Sequence, residues 1–211
     1  MGNVGLLYVG AVLFINGLML IGAIPGKAAG IMNFFVGTMQ VVFPTIVLIQ
    51  NGSDPAAVWG AAGIYLFGFT YLYVGLIQWT GHGAQGLGWF SLFVVICAIV
   101  IGLVALLRDS DPVFGVIWLL WAILWFLFFV LLAFDVSRIA VLTGWFTIFI
   151  SFLTGTIPAL LLLAGVFQSD WLWAIILAVA GILSLVVSVA LGRRPVPLAQ
   201  SDTPADAEMA A

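Results

Sequence analysis

VFGVIWLLWAILWFLFFVLLAF, residues 113–134, contains no charged side chain and no proline. A helix gains ~1.5 Å per residue, and about 20 mostly apolar residues cross a hydrocarbon core ~30 Å thick. The stretch is therefore long enough to span a membrane by itself. Six others match it: 3–22, 29–50, 56–79, 87–107, 139–165 and 170–191. Short breaks with turn chemistry separate most of them: Pro25-Gly26-Lys27, Asn51-Gly52-Ser53-Asp54-Pro55, Gly81-His82-Gly83, Asp109-Ser110-Asp111-Pro112 and Gln168-Ser169-Asp170. Barrel strands would be half as long and would alternate polar with apolar residues. The expected fold is an all-α membrane protein, a bundle of seven transmembrane helices.

Composition leads to the same class. The chain has 211 residues, 65% hydrophobic and 6% charged, against roughly 45–50% and about 25% in globular proteins. A soluble enzyme, a nucleic-acid binder and a secreted disulfide scaffold are excluded. The five basic residues (Lys27, Arg108, Arg138, Arg193, Arg194) are too few for a nucleic-acid patch. The lone Cys97 has no partner for an internal disulfide. The first run lacks a basic leader and a small-residue cleavage site, so it is expected to be the first helix of the mature protein.

With the N-terminus outside, four basic residues fall inside and only Arg108 outside, as the positive-inside rule favours. The acids Asp54, Asp109, Asp111 and Asp170 then face outward. Residues 1–191 are expected to form the membrane domain, and the polar residues 192–211 a disordered cytoplasmic tail.

The sequence also repeats. Gly30-Ile31-Met32-Asn33-Phe34-Phe35-Val36, Gly88-Trp89-Phe90-Ser91-Leu92-Phe93-Val94 and Gly144-Trp145-Phe146-Thr147-Ile148-Phe149-Ile150 share one pattern at spacings of 58 and 56 residues. Gly10 and Gly17 precede the first copy as Gly68 and Gly75 precede the second, whereas Leu124 and Leu131 stand there in the third. Three hairpins follow, at about 1–55, 56–111 and 112–168, with an extra helix at 170–191. Parallel repeats leave an axis along the membrane normal, where a pore can run.

Chemistry is conspicuous mainly by its type. No charge occurs between Pro55 and Leu107 or within 113–134 and 139–169, so no coupling-ion site, catalytic constellation, metal ligand set or cofactor motif is placed where it could work. The only histidine, His82, lies in a turn between glycines and reads as a solvated turn residue. What stands out is aromatic: Trp118, Trp121 and Trp125 at i, i+3 and i+7, and the i, i+4 pair Phe67 and Tyr71. Such a stripe can be bundle packing or an interfacial belt. Belt residues sit at helix ends, however, while Trp121 and Trp125 are well inside their span.

Leu6-Leu7-Tyr8-Val9-Gly10, Asn16-Gly17, Met32-Asn33-Phe34-Phe35-Val36-Gly37, Leu66-Phe67-Gly68-Phe69-Thr70-Tyr71-Leu72-Tyr73, Ser91-Leu92-Phe93-Val94 and the Trp118–Trp125 stripe resemble the AmiS/UreI family over about residues 1–165. The resemblance implies a urea or short-chain amide channel of the bacterial plasma membrane. It implies three hairpins around one pore per protomer, a hexameric ring and a functional link to a cytoplasmic amidase or urease. By motif, the pore constrictions fall on Leu6, Leu13, Phe67, Tyr71, Trp118, Trp121, Leu124 and Trp125. Acid-gated members have long, histidine-rich outer loops, and some carry a glutamate midway along the sixth helix. Here the outer loops are short and without histidine, and Ile150 and Ser151 occupy the uncharged mid-helix region. Acid gating is therefore not expected. The seventh helix and acidic tail resemble the amidase-associated branch, which makes acetamide-like substrates candidates beside urea. Two alternatives remain: a secondary transporter of a small neutral solute, and a non-transporting scaffold or sensor. Against the first, only Pro44 and Pro158 are candidate helix kinks.

Overall fold

The structure, a computed structural model, describes residues 2–193. The expected tail lies outside that range, except for its first two residues. Helices α1 (Gly2–Leu20), α2 (Gly26–Asn51), α3 (Pro55–Thr80), α4 (Gln85–Leu107) and α5 (Pro112–Ala133) are continuous. The sixth span, Ser137–Leu163, is composite: a 3₁₀ turn (Ser137–Ile139), α6 (Ala140–Ile150), a π-turn (Ser151–Thr156) and α7 (Ile157–Leu163). Helix α8 (Trp171–Gly192) completes seven helical segments long and apolar enough to cross a membrane. Among the described residues there is no strand.

The ends of these helices are explained by their sequence. Three of the helices that start on one side begin after an aspartate, whose carboxylate accepts an otherwise orphaned N–H. Asp54 takes Ala56 N at 3.0 Å, Asp111 takes Phe114 N at 3.1 Å and Asp170 takes Trp173 N at 3.0 Å. Proline follows in two of the three, its missing N–H costing nothing in the first turn. Gly81, at φ 72°, closes α3 through its N–H to Ile77 O.

The two candidate kinks behave differently. Helix α2 runs through Pro44 without a break. Pro158 is preceded by the π-turn. Proline removes one backbone bond and crowds the carbonyl four residues earlier, and a widened turn relieves that conflict. The hydroxyls of Ser151, Thr154 and Thr156 donate to Ile148 O (2.6 Å), Ile150 O (2.7 Å) and Ser151 O (3.1 Å). Hydroxyls of the irregular turn thus find acceptors within the protein, in the last turn of α6 and at Ser151.

Six spans close into a ring. The closest pairings are α2 with α3, α4 with α5, and the sixth span with α1. Each pairing straddles a boundary between the hairpins 1–55, 56–111 and 112–168, and contacts within those hairpins are thinner. Tight packing therefore runs from each hairpin to the next, and from the last back to the first. Small residues permit the approach. A Cβ on Gly37 would stand 3.1 Å from Gly68 O, one on Gly102 3.1 Å from Gly115 O, and one on Gly17 2.8 Å from Gly144 O. Helix α8 packs on α5 and α6 outside the ring and buries only Ala174, Leu177, Gly181 and Ser188.

Gly88 and Gly60 provide the test of this closure. A methyl on Gly88 would lie 2.7 Å from Ala133 Cα, whereas one on Gly60 meets nothing within 4 Å. Gly88→Ala should lower stability by about 1–3 kcal/mol through overpacking. Gly60→Ala should be neutral or raise it by up to about 1 kcal/mol. Reversible unfolding of both variants in detergent measures the contrast.

Candidate functional site

The interior of the ring is aromatic because two helices turn their rings toward it. Phe67 and Tyr71 lie one turn apart on α3, and Trp118, Trp121 and Trp125 share a face of α5. Phe67 is the hub. Its ring centroid is 5.6 Å from Trp118, 4.7 Å from Trp121 and 5.1 Å from Trp125, the last two edge-on at 74° and 83°. Tyr71 stacks beneath it at 6.2 Å. Edge-to-face contacts of this kind add roughly 0.5–1.5 kcal/mol each beyond area burial and fix the ring orientations.

A cavity opens on either side of this cluster, and the two share no lining residue. The one at the N-terminal end of α1, about 190 Å³, is lined by Leu6, Phe67, Trp118 and Trp121, with Gln40 and Phe114. The one toward the C-terminal end of α1, about 90 Å³, is lined by Leu13, Tyr71 and Trp125, with Asn16 and Thr70. Seven of the eight residues expected from sequence thus face one or other cavity. Leu124 does not: it is fully buried and lines neither. No charged side chain lines either cavity.

Polar side chains buried among the helices are mostly bonded, to one another or to backbone carbonyls. The amides of Asn16 and Asn33 bond reciprocally, at 3.0 and 2.6 Å, and Asn33 Nδ2 also donates to Ala29 O at 2.9 Å. Because Ala29 O can only accept, it fixes which way the Asn33 amide points, and through it Asn16. Gln40 Nε2 donates to Gly5 O at 2.8 Å. Trp121 Nε1 donates to Thr154 Oγ1 at 2.8 Å. Among the described residues, three buried side-chain atoms have no partner: Tyr71 Oη, Trp125 Nε1 and Thr143 Oγ1. The first two belong to residues lining the same cavity.

The sequence reading gave no role to Asn16, Asn33, Gln40 or Thr154. The available signal was an amide well inside an apolar span, Asn16 in 3–22 and Asn33 and Gln40 in 29–50, and an amide there must bond something inside the protein. Its partner, however, depends on helix register, which hydropathy does not carry.

The model of the AmiS/UreI family transporter matches residues 1–166. The transporter protein AmiS2 of Rhodococcus erythropolis is 53% identical over 169 residues, covering 80% of this chain and 82% of the relative. An amidate substrates transporter protein of Mycolicibacterium smegmatis is 46% identical over 194 residues, covering 92% and 91%. The crystal structure of the Helicobacter pylori urea channel superposes with a TM-score of 0.69 at 31% identity, covering 80% of this chain and all of that one (100%).

The Asn16–Asn33 pair yields a coupling test. Asn33→Ala removes both donors and leaves the buried Asn16 amide without its partner, which should lower stability by about 1–3 kcal/mol. Asn16→Ala should do likewise. The double variant should cost clearly less than the sum of the two. Unfolding of all four proteins under one set of conditions gives the coupling.

Proposed function

The chain belongs to the AmiS/UreI family of transporters, and from that premise we propose that it is a passive channel for urea and short-chain aliphatic amides such as acetamide. One observation carries the reading. In an uncharged aromatic lumen, an indole N–H and a phenol O–H are buried without partners beside the same cavity. A buried unbonded polar group costs roughly 1–3 kcal/mol, and a passing amide supplies both bonds. Trp125 Nε1 donates to its carbonyl oxygen, and Tyr71 Oη accepts from its NH₂ group.

Transport then follows from shape and polarity. Urea and primary amides are planar and neutral, so their faces stack on the rings around Phe67 while their edges find few but sufficient hydrogen bonds. An ion at the same place loses its hydration and gains no ligand, so it is refused. Binding at a single pair of groups is weak enough for exit. The protein performs no covalent step.

The wider setting is proposed on the same footing. The relatives include proteins named for amidate substrates and for urea, and a cytoplasmic amidase or urease would consume what enters. The N-terminus faces outward and Lys27, Arg138 and Arg193 face the cytoplasm of a bacterium, with six protomers forming a ring in its plasma membrane. Gating by acid has no visible sensor. The Helicobacter pylori relative is an acid-activated urea channel, but on this chain the outer connections lack histidine. The exposed Asp109 carboxyl is held below its ordinary range by a hydrogen bond from Arg108. It therefore stays ionised above that range and loses its charge only as pH falls through the lowered value, below the physiological window.

Stopped-flow light scattering on proteoliposomes tests the proposal. Urea and acetamide should enter rapidly, glycerol slowly, with rates unchanged by collapse of proton or sodium gradients and nearly constant from pH 5 to 7.5. Uptake that vanished with either gradient would instead establish a coupled transporter, and no flux at all a non-transporting subunit.

Trp125→Ala separates a sizing residue from a packing one. As a sizing residue it should admit thiourea better relative to urea, by several-fold, at equal amounts of folded protein. As packing alone it should cost roughly 3–5 kcal/mol of stability and leave the thiourea-to-urea ratio unchanged.

A further inference from the structure

Trp121 and Trp125 occupy the same helix face, are both buried, and both meet Phe67 edge-on. They differ in one bond. Trp121 Nε1 reaches Thr154 Oγ1 at 2.8 Å, while Trp125 Nε1 has no partner. The direction of that bond is fixed, because the single hydroxyl hydrogen of Thr154 goes to Ile150 O at 2.7 Å. Toward Trp121 the hydroxyl can only accept.

The position of Thr154 is built into the fold. It lies in the π-turn, and the added width of that turn changes the direction of side chains relative to a regular helix. Pro158 opposes reversion to regular α-helix. Gly155 seats the turn on α1, since a Cβ there would stand 2.7 Å from Gly10 Cα. Thr154 itself is fully buried, so its hydroxyl has no competing water.

We infer that Thr154 is a positioning residue for the pore: by taking the Trp121 N–H it withdraws that donor from the Phe67–Trp121 constriction, leaving the bare Tyr71 Oη and Trp125 Nε1 as the place where substrate is bonded. The inference deepens the channel reading and rests on it. A free N–H at Trp121 would add a second hydrogen-bonding station about one helical turn, ~5 Å, from the first. A molecule held twice leaves more slowly, whereas an indole whose N–H is already taken passes it on to a single weak site.

Five proteins in lipid nanodiscs and proteoliposomes test this: wild type, Thr154→Val, Thr154→Ser, Trp121→Phe and Trp121→Phe/Thr154→Val. In Thr154→Val the indole N–H resonance of Trp121, followed by ¹⁵N-tryptophan NMR, should move upfield. Maximal urea flux should fall at least threefold, with saturation at lower urea concentration. Thr154→Ser, which keeps the hydroxyl, should restore both readouts. In the Trp121→Phe background, Thr154→Val should produce no further change in flux. An unmoved resonance in Thr154→Val, wild-type flux despite a moved one, or an equal loss in the Trp121→Phe background would overturn the inference. Wild-type protein without urea flux would overturn the channel reading instead, and the resonance would still report the bond.

Discussion

A polar group inside a membrane must find its partner within the protein, since the hydrocarbon offers none. Most of the interior of this molecule follows from that constraint. Asn16 and Asn33 answer each other, Gln40 answers a backbone carbonyl of α1, Thr45 and Tyr65 share a hydroxyl bond of 2.7 Å, and Thr70 and Ser91 turn back on their own helices. Against this near-complete pairing, the bare Tyr71 Oη and Trp125 Nε1 define a place. Thr143 Oγ1 is also unpaired, but its residue lines neither cavity.

The two cavities beside the aromatic cluster differ in chemistry. Around Phe67 the walls are mostly ring and aliphatic carbon with the neutral amide of Gln40, and they carry no charge to replace an ion's hydration. Beyond them, toward the C-terminal end of α1, the bare Tyr71 Oη and Trp125 Nε1 belong to residues that line the cavity with the amides of Asn16 and Gln78. The charges of the described chain stay at helix ends and loops. There Arg108 pairs with Asp109 and lies over the Trp59 ring at 5.7 Å, so the interior field is set by dipoles alone.

Much of this was readable in the sequence. A charge-free run of about 20 residues has one stable outcome in lipid, so the spans agree with the helices to within a few residues, as 113–134 does with Pro112–Ala133. The aromatic face of α5 was legible because helical periodicity alone places Trp118, Trp121 and Trp125 together. The limits were equally physical. Leu124 shares that helix and its strings, yet side-chain direction sends it into packing rather than toward a cavity. Pro158 signalled an irregularity, but a kink and a π-turn answer the same conflict, and only hydroxyls on the preceding turn distinguish them. The tightest pairings cross the hairpin boundaries because glycine contacts between helices depend on register, not on adjacency in the chain.

That cyclic pairing also orders the life of the molecule before it works. Helix α1 is made before the other described helices, yet its closest neighbour is the sixth span. Gly17 must wait in the bilayer for Gly144, and Gly10 for Gly155. Until then the ring lacks one wall, and lipid or the insertion machinery occupies the gap. Only when the sixth span arrives is the aromatic cluster enclosed by protein on every side. A chain cut short before residue 144 would display the small-residue face of α1 without its partner, an open mark for quality-control proteases.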